Sequence, residues 1–174
     1  MERISSRTVH EGPVVSVRVE RYRYADGETA EREIVAHPGA VAIVAHDDET
    51  IWLVRQPREA VGEPALLELP AGKLDVEGES RLECARRELI EEIGIAAREW
   101  RELKRFYTSP GFASEEVTIF VATGLEPVPD HRPDPEERIE IVELAIDDLD
   151  QAIAECTDSK SLIGLLLFRL ELRP

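Results

Sequence analysis

The chain has 174 residues, enough to bury one substantial core, and 43% of them are hydrophobic. Its 37 acidic residues outnumber the 21 basic ones, and the net charge of −16 disfavours binding to nucleic acid or to an anionic membrane surface. The longest apolar runs, such as residues 162–168, are too short to cross a bilayer and no signal peptide is recognisable, so we expect a cytoplasmic protein with no membrane partner.

The amino-terminal region has the alternating pattern of β-strands. Apolar and polar side chains alternate over residues 14–24, Asp26-Gly27 supplies a turn, and residues 29–36 alternate again. We predict an antiparallel β ribbon of two or three strands. Because so small a ribbon is marginal by itself, it must bury one face against its own domain or another subunit. We assign residues 1–38 to this ribbon, as a candidate dimerisation element.

Residues 39–174 mix strands and helices without regular βαβ alternation. The predicted strands are residues 40–45, 51–55, 66–69, 101–107, 116–122 and 139–144, and the predicted helices are residues 81–93, 147–154 and 159–170. The strand at 66–69 is expected to end in Pro70-Ala71-Gly72 and to be followed by a polar loop up to Glu79, and the Pro/Asp/Glu-rich stretch 124–137 is also expected to be a loop. This pattern predicts an α+β domain with a mixed sheet between helices.

The best-defined element is the helix over residues 81–93. Ser80 and Glu83 fit a capping box, and Gly94 stands where a helix favours a left-handed residue. Glu88, Glu91 and Glu92, spaced i, i+3 and i+4, lie on or near one side of one turn. Such a cluster is commonly a solvated acidic face, but it also suits Mg²⁺, which prefers oxygen ligands.

The segment from Gly72 to Ile95, GKLDVEGESRLECARRELIEEIGI, closely resembles the Nudix box. From Glu79 onward it matches the family pattern at every defined position. Six residues separate Gly72 from Glu79 where the family usually has five, and we expect the extra residue to bulge outward. The resemblance implies a Nudix αβα sandwich and a Mg²⁺-dependent hydrolase, with Mn²⁺ as a substitute, that cleaves a nucleoside diphosphate linked to another group.

The resemblance also implies roles for individual residues. It makes Glu88, Glu91, Glu92 and the carbonyl of Ala71 metal ligands, while Arg87 orients the glutamates and Glu79 braces the loop. The residues themselves agree about Arg87, because Glu83 and Glu91 lie four positions to either side of it.

Two further segments resemble ADP-ribose pyrophosphatases and suggest substrate-binding residues. Ser109-Pro110-Gly111-Phe112 resembles their downstream proline mark, although it also fits an ordinary turn. Gln56-Pro57-Arg58 resembles the segment from which they direct an arginine at the substrate phosphates. Arg58 is otherwise a solvated arginine beside Glu59.

In that subfamily the ribbon is exchanged between two subunits, and residues of both ribbons hold the adenine. The resemblance therefore implies a homodimer, with Tyr22, Tyr24 and Arg32 as candidates for the adenine site. A packing role within the ribbon is the other interpretation of each.

The catalytic base of the resembling enzymes is a glutamate on the acidic loop before the last strand. By position Glu137 is the closest match and Glu136 the second candidate, while a solvated acidic loop is the competing interpretation. A water would attack one phosphorus of ADP-ribose, and the expected products are AMP and ribose 5-phosphate.

Three other functions stay open on the sequence alone. The chain could hydrolyse another nucleoside diphosphate sugar such as GDP-mannose, sense ADP-ribose as a catalytically silent Nudix domain, or act only through its acidic surface and ribbon. Neither the four dispersed histidines nor the isolated Cys84 and Cys156 form a recognisable site.

Overall fold

The computed structural model describes residues 1–131 and 138–172. It divides the chain into two compact units, one formed by Met1–Gly39 with Phe106–Glu116, the other by Ala40–Arg105 with Val117–Pro174. The predicted division at residue 38 stays a prediction.

The described residues contain strands β1 (Glu2–Glu11), β2 (Ser16–Arg23), β3 (Thr29–Ala36), β4 (Ala40–His46), β5 (Thr50–Arg58), β6 (Glu63–Glu68), β7 (Ala71–Lys73), β8 (Ile95–Tyr107), β9 (Glu116–Pro127) and β10 (Glu140–Ala145). They also contain helices α1 (Arg81–Ile93), α2 (Leu149–Glu155) and α3 (Ser159–Glu171), with a short 3-10 turn at Ile146–Asp148 before α2. None of the helices in the described part of the chain is long and apolar enough to cross a membrane.

The amino-terminal ribbon is a three-stranded antiparallel sheet in the order β1-β2-β3. This confirms the predicted antiparallel ribbon and decides its strand number. Every residue of β1 is exposed, so this edge strand adds hydrogen bonds to the ribbon but buries little apolar surface.

The larger sheet has seven strands. Its main path runs β10-β5-β4-β9-β8, with β6 paired to β5 and β7 paired to β4. The central pair, β4 and β9, is parallel, whereas β4 with β5 and β5 with β10 are antiparallel. The predicted mixed sheet is confirmed.

Helices cover both faces of this sheet. Val41, Ile43 and Ala45 of β4 belong to a buried cluster with Cys84, Ala85, Leu89 and Ile93 of α1. On the opposite face α3 comes so close that a Cβ on Gly164 would lie 2.5 Å from the Leu69 side chain. Because successive strand residues face opposite sides, β4 contributes to both cores, and the predicted αβα sandwich is confirmed.

Helix α1 has the predicted bounds, and its caps explain them. The Ser80 hydroxyl accepts a bond from the Glu83 amide (3.3 Å), and the Glu83 carboxylate accepts one from the Ser80 amide (2.8 Å). Gly94 ends the helix with φ 68°, in the left-handed region.

Three elements differ from the prediction. Strand β7 lies where the preceding strand was expected to end and a loop to begin, β8 begins at Ile95 rather than near residue 101, and β9 continues to Pro127. The short β7 contains glycine and has no alternating pattern, and it forms by pairing with the distant β4. Residues 75–78 of the following loop are all exposed, in agreement with the expected outward bulge.

Candidate active site

Strand β7 brings its backbone directly against α1. Gly72 pairs with Val41 of β4, on the sheet face that α1 covers. A Cβ on Gly72 would lie 1.8 Å from Cδ of Glu88, far inside van der Waals contact. The Glu88 carboxylate can therefore contact the backbone of β7 only because residue 72 is a glycine and has no Cβ.

Glu92 reaches the same short stretch of backbone. It is 5% exposed, and its Oε2 accepts a hydrogen bond of 2.9 Å from the Ala71 amide. This amide offsets part of the cost of burying a carboxylate. Two glutamates one turn apart on α1 thus approach neighbouring residues of β7, Glu88 at Gly72 and Glu92 at Ala71.

Arg87 organises the acidic residues around this point. It donates from Nε and Nη2 to Glu79, at 2.9 Å each, and from Nη1 to Glu88 at 2.7 Å and Glu91 at 2.8 Å. The hydrogen bond from Arg87 holds the pKa of Glu79 below its usual value, and the same bond raises the pKa of the guanidinium. Arg87 therefore holds the Glu88 side chain in one orientation, in which its carboxylate lies against β7.

Glu91 does not join the other two glutamates in the same way. Its side chain is 54% exposed and is held by Arg87. Within residues 1–131 and 138–172, no three acidic, histidine or cysteine side chains converge so as to hold a metal ion by themselves. The side chains that reach β7 are instead the two carboxylates of Glu88 and Glu92, and the carbonyl of Ala71 stays a predicted ligand.

This smaller donor set fits Mg²⁺. The ion binds protein through one or two carboxylates, keeps several waters and takes further oxygen ligands from substrate phosphates. All the donors here are oxygens, as a hard cation requires.

Cys84 lies beside the site but is not a nucleophile. Its Sγ donates to the Lys73 carbonyl at 3.3 Å, and burial, together with the charge of Glu88, raises its pKa to about 12. The thiol therefore stays protonated near neutral pH, as expected of a small buried residue.

Arg58 is held at the end of β5 by a buried carboxylate that the sequence analysis did not single out. Nε and Nη2 of Arg58 both bond to Glu68, the second at 2.8 Å, and Glu68 is 0% exposed. The pKa of Arg58 is raised chiefly by this bond and to a smaller extent by the charges of Glu92 and Asp158. Arg58 thus lies within electrostatic reach of the site at Ala71.

The candidate substrate-binding residues of the other unit lie together within it. The turn containing Pro110 and Gly111 ends at Phe112, whose carbonyl accepts a 2.8 Å bond from the Val35 amide of β3. Phe112 itself is 56% exposed. The proline-glycine segment therefore joins the edge of the same ribbon that carries Tyr22 and Arg32.

Tyr22 and Arg32 both have partners in the ribbon. The Tyr22 hydroxyl donates to Glu20, which is 3% exposed, and Arg32 donates to the Tyr24 hydroxyl at 3.2 Å. These hydrogen bonds hold both side chains within the ribbon and do not test whether they bind a ligand. The candidate bases, Glu136 and Glu137, lie outside the described residues.

Comparison with known proteins relates the chain to one family. A family model for the NUDIX domain matches residues 36–163. A curated ADP-ribose pyrophosphatase from Mycobacterium tuberculosis is 47% identical over 128 residues, which are 73% of this chain but only 61% of that protein. Two Bacillus proteins align over 172 residues, 97% of this chain and 92% of each of them. They are an ADP-ribose pyrophosphatase from B. subtilis, 37% identical, and a methanol dehydrogenase activator from B. methanolicus, 38% identical.

A solved structure described as an ADP compounds hydrolase has a similar fold. It superimposes with a TM-score of 0.84 at 25% sequence identity, covering 98% of this chain and 93% of that chain. The likeness thus includes both the ribbon and the sandwich.

Proposed function

This chain belongs to the NUDIX domain family, and from that premise we propose that it hydrolyses the diphosphate of ADP-ribose with the help of Mg²⁺. The observation that carries the proposal is the approach of two α1 carboxylates to the backbone of β7, Glu88 at Gly72 and Glu92 at Ala71. If this helix face were merely solvated, its carboxylates would point into solvent. Here the Glu88 carboxylate instead occupies the space that a side chain at position 72 would fill.

Glu88, Glu92 and the carbonyl of Ala71 would hold the cation, and Glu91, at the exposed edge of the same turn, remains a candidate ligand. Bound Mg²⁺ neutralises charge on a diphosphate and promotes deprotonation of water. Arg87 keeps the carboxylates in place through the bonds described above. The acidic residues are thereby oriented before substrate arrives, so little reorganisation is needed.

Arg58 would bind the phosphate oxygens of the diphosphate. Charge-assisted hydrogen bonds from a guanidinium to phosphate oxygens are strong and directional. A 41% exposed Arg58 side chain, anchored by Glu68, has the access that such contacts need. Our candidates for binding the rest of the nucleotide remain Pro110, Gly111, Phe112, Tyr22 and Arg32.

We assign the general base to Glu137, with Glu136 as the second candidate. The base takes a proton from water while the water oxygen forms a bond to one phosphorus. The bond from that phosphorus to the bridging oxygen breaks, and the second phosphate leaves with the bridging oxygen. The balanced products are AMP and ribose 5-phosphate.

Two further properties accompany this proposal. We propose that the protein is a homodimer through its ribbon, because the wholly exposed β1 carries Ile4 and Val9 with 41% and 46% of their surface exposed.

A cytoplasmic location is consistent with its buried, unbridged Cys84 and Cys156.

A substrate panel tests the proposed activity. We expect turnover of ADP-ribose with Mg²⁺ to exceed that of GDP-mannose, NADH and diadenosine polyphosphates by at least about tenfold, because contacts to the base and the sugar, and the length of the phosphate chain, discriminate between these substrates. Mass spectrometry should identify AMP and ribose 5-phosphate, and excess EDTA should abolish turnover until Mg²⁺ is restored.

The other outcomes separate the competing functions. Preference for GDP-mannose would keep the hydrolase and change its substrate. Binding of ADP-ribose with no turnover at any Mg²⁺ concentration would instead indicate a silent sensing domain, and indifference to both nucleotide and metal would leave only an interaction role.

A further inference from the structure

A buried ion network joins Arg58 to the start of α3. The Glu68 carboxylate, which is 0% exposed, bonds to Arg58 and also accepts a bond from Nζ of Lys160. Nζ of Lys160 also lies 2.9 Å from Asp158, the residue that caps α3. The network therefore contains two cations and two carboxylates, drawn from segments about 100 residues apart.

The same helix start holds the chain that leads to the metal-binding residues. The fully buried Ser161 hydroxyl accepts a 2.7 Å bond from the Leu69 amide and donates to Asp158 at 2.6 Å. Leu69 lies between Glu68 and the Pro70-Ala71 peptide. Residues 158–161 thus fix both the carboxylate that anchors Arg58 and the backbone beside Ala71.

The two cations differ in what they offer a ligand. The Lys160 side chain is only 16% exposed, whereas that of Arg58 is 41% exposed. Glu68 takes Nε and Nη2 of Arg58, and no other residue in the described part of the chain hydrogen-bonds to its Nη1. Arg58 can therefore donate hydrogen bonds from Nη1 to a diphosphate while Nε and Nη2 remain bonded to Glu68.

We propose that Glu68 and Lys160 are positioning residues for Arg58, which they orient towards the diphosphate of the substrate; this rests on the function proposed above. Lys160 balances the buried charge of Glu68, so that Arg58 is not fully neutralised by its own anchor. Without Lys160 the network carries a net negative charge beside a site that must accept an anionic substrate.

A substitution pair with the same change in charge tests this role. Lys160→Met should raise KM for ADP-ribose about tenfold and leave kcat within about twofold, because Arg58 binds ground state and transition state alike. Lys104→Met is the control, since Lys104 is exposed on β8, in the same compact unit, and lies outside the network. Lys160→Arg keeps the charge and should restore KM to within about threefold of wild type.

A double-mutant cycle separates positioning from other roles. If Lys160 acts through Arg58, then adding Lys160→Met to Arg58→Ala should raise KM by less than about twofold beyond Arg58→Ala alone. A full tenfold rise on the Arg58→Ala background would overturn the inference, as would a Lys160→Met enzyme that matches Lys104→Met. If Lys160→Met does not fold, Lys160→Gln removes the same charge and should give the same rise.

Binding of α,β-methylene ADP, whose bridging carbon blocks cleavage, provides a readout independent of turnover. Calorimetry with Mg²⁺ should show the same pattern of weakened binding across the cycle. A wild-type protein that binds this analogue but does not cleave ADP-ribose would contradict the proposed activity and leave this inference testable by binding. A wild-type protein that binds no diphosphate would contradict both.

Discussion

The Glu92→Gln variant is expected to lose about three orders of magnitude in kcat, or ~4 kcal/mol of transition-state stabilisation, while keeping its fold. Glutamine has nearly the volume of glutamate, and its side-chain oxygen can still accept the bond from the Ala71 amide. The substitution therefore removes one negative charge from the metal-binding residues and little else. Steady-state kinetics at saturating ADP-ribose and Mg²⁺ measure the loss.

Glu102→Gln provides the matched control for that loss. Glu102 lies on β8, its side chain is 44% exposed, and it pairs only locally with Arg105. The same change of charge there should leave kcat within about twofold, since isolated surface ion pairs contribute little. Near-normal turnover by Glu92→Gln would remove Glu92 from the metal site.

The Gly72→Ala variant should lose activity through a single misplaced carboxylate. The new methyl would lie 1.8 Å from Cδ of Glu88, so the Glu88 side chain must turn away from β7 or the strand must move away from α1. A displacement of an ångström in a catalytic constellation costs about 100-fold, and we expect kcat/KM to fall by roughly that factor. A weaker apparent affinity for Mg²⁺, measured by titration of activity, should accompany the loss.

Gly27→Ala is the control that tests whether lower stability alone could reduce kcat/KM. Gly27 lies in the ribbon turn with φ 89° and no neighbour within 4 Å of an added Cβ. Alanine there strains the backbone by about 1 kcal/mol without displacing any carboxylate. It should lower the unfolding temperature and leave kcat/KM almost unchanged. If Gly72→Ala kept wild-type kinetics and Mg²⁺ affinity, the close approach of Glu88 to β7 would have no role.

Local signals explain which parts of the fold were predictable from sequence. Helix α1 was predicted to the residue because Ser80, Glu83 and Gly94 mark its ends within the sequence itself. The short strand β7 was missed because its pairing with β4 leaves no periodic trace in the three residues Ala71–Lys73. The catalytic turn was recognised from its motif, but the converging geometry of Glu88 and Glu92 depends on that missed strand.

Long-range ion pairing explains what the sequence could not reveal. Glu68 and Lys160 stand 92 positions apart and share no motif spacing, so their pairing becomes visible only in the folded chain, where the start of α3 reaches the end of β6. Arg58 was identified by resemblance, whereas the carboxylate that orients it was not.

Divalent cations should bind beside Ala71, where Glu88 and Glu92 approach β7. The direct test is a crystal grown with Mn²⁺ and an uncleavable α,β-methylene analogue of ADP-ribose, with data collected at the manganese absorption edge. We expect an anomalous peak coordinated by both carboxylates, the carbonyl and the diphosphate oxygens. A bound analogue with manganese elsewhere, or with these three groups facing away from any peak, would contradict the proposed chemistry.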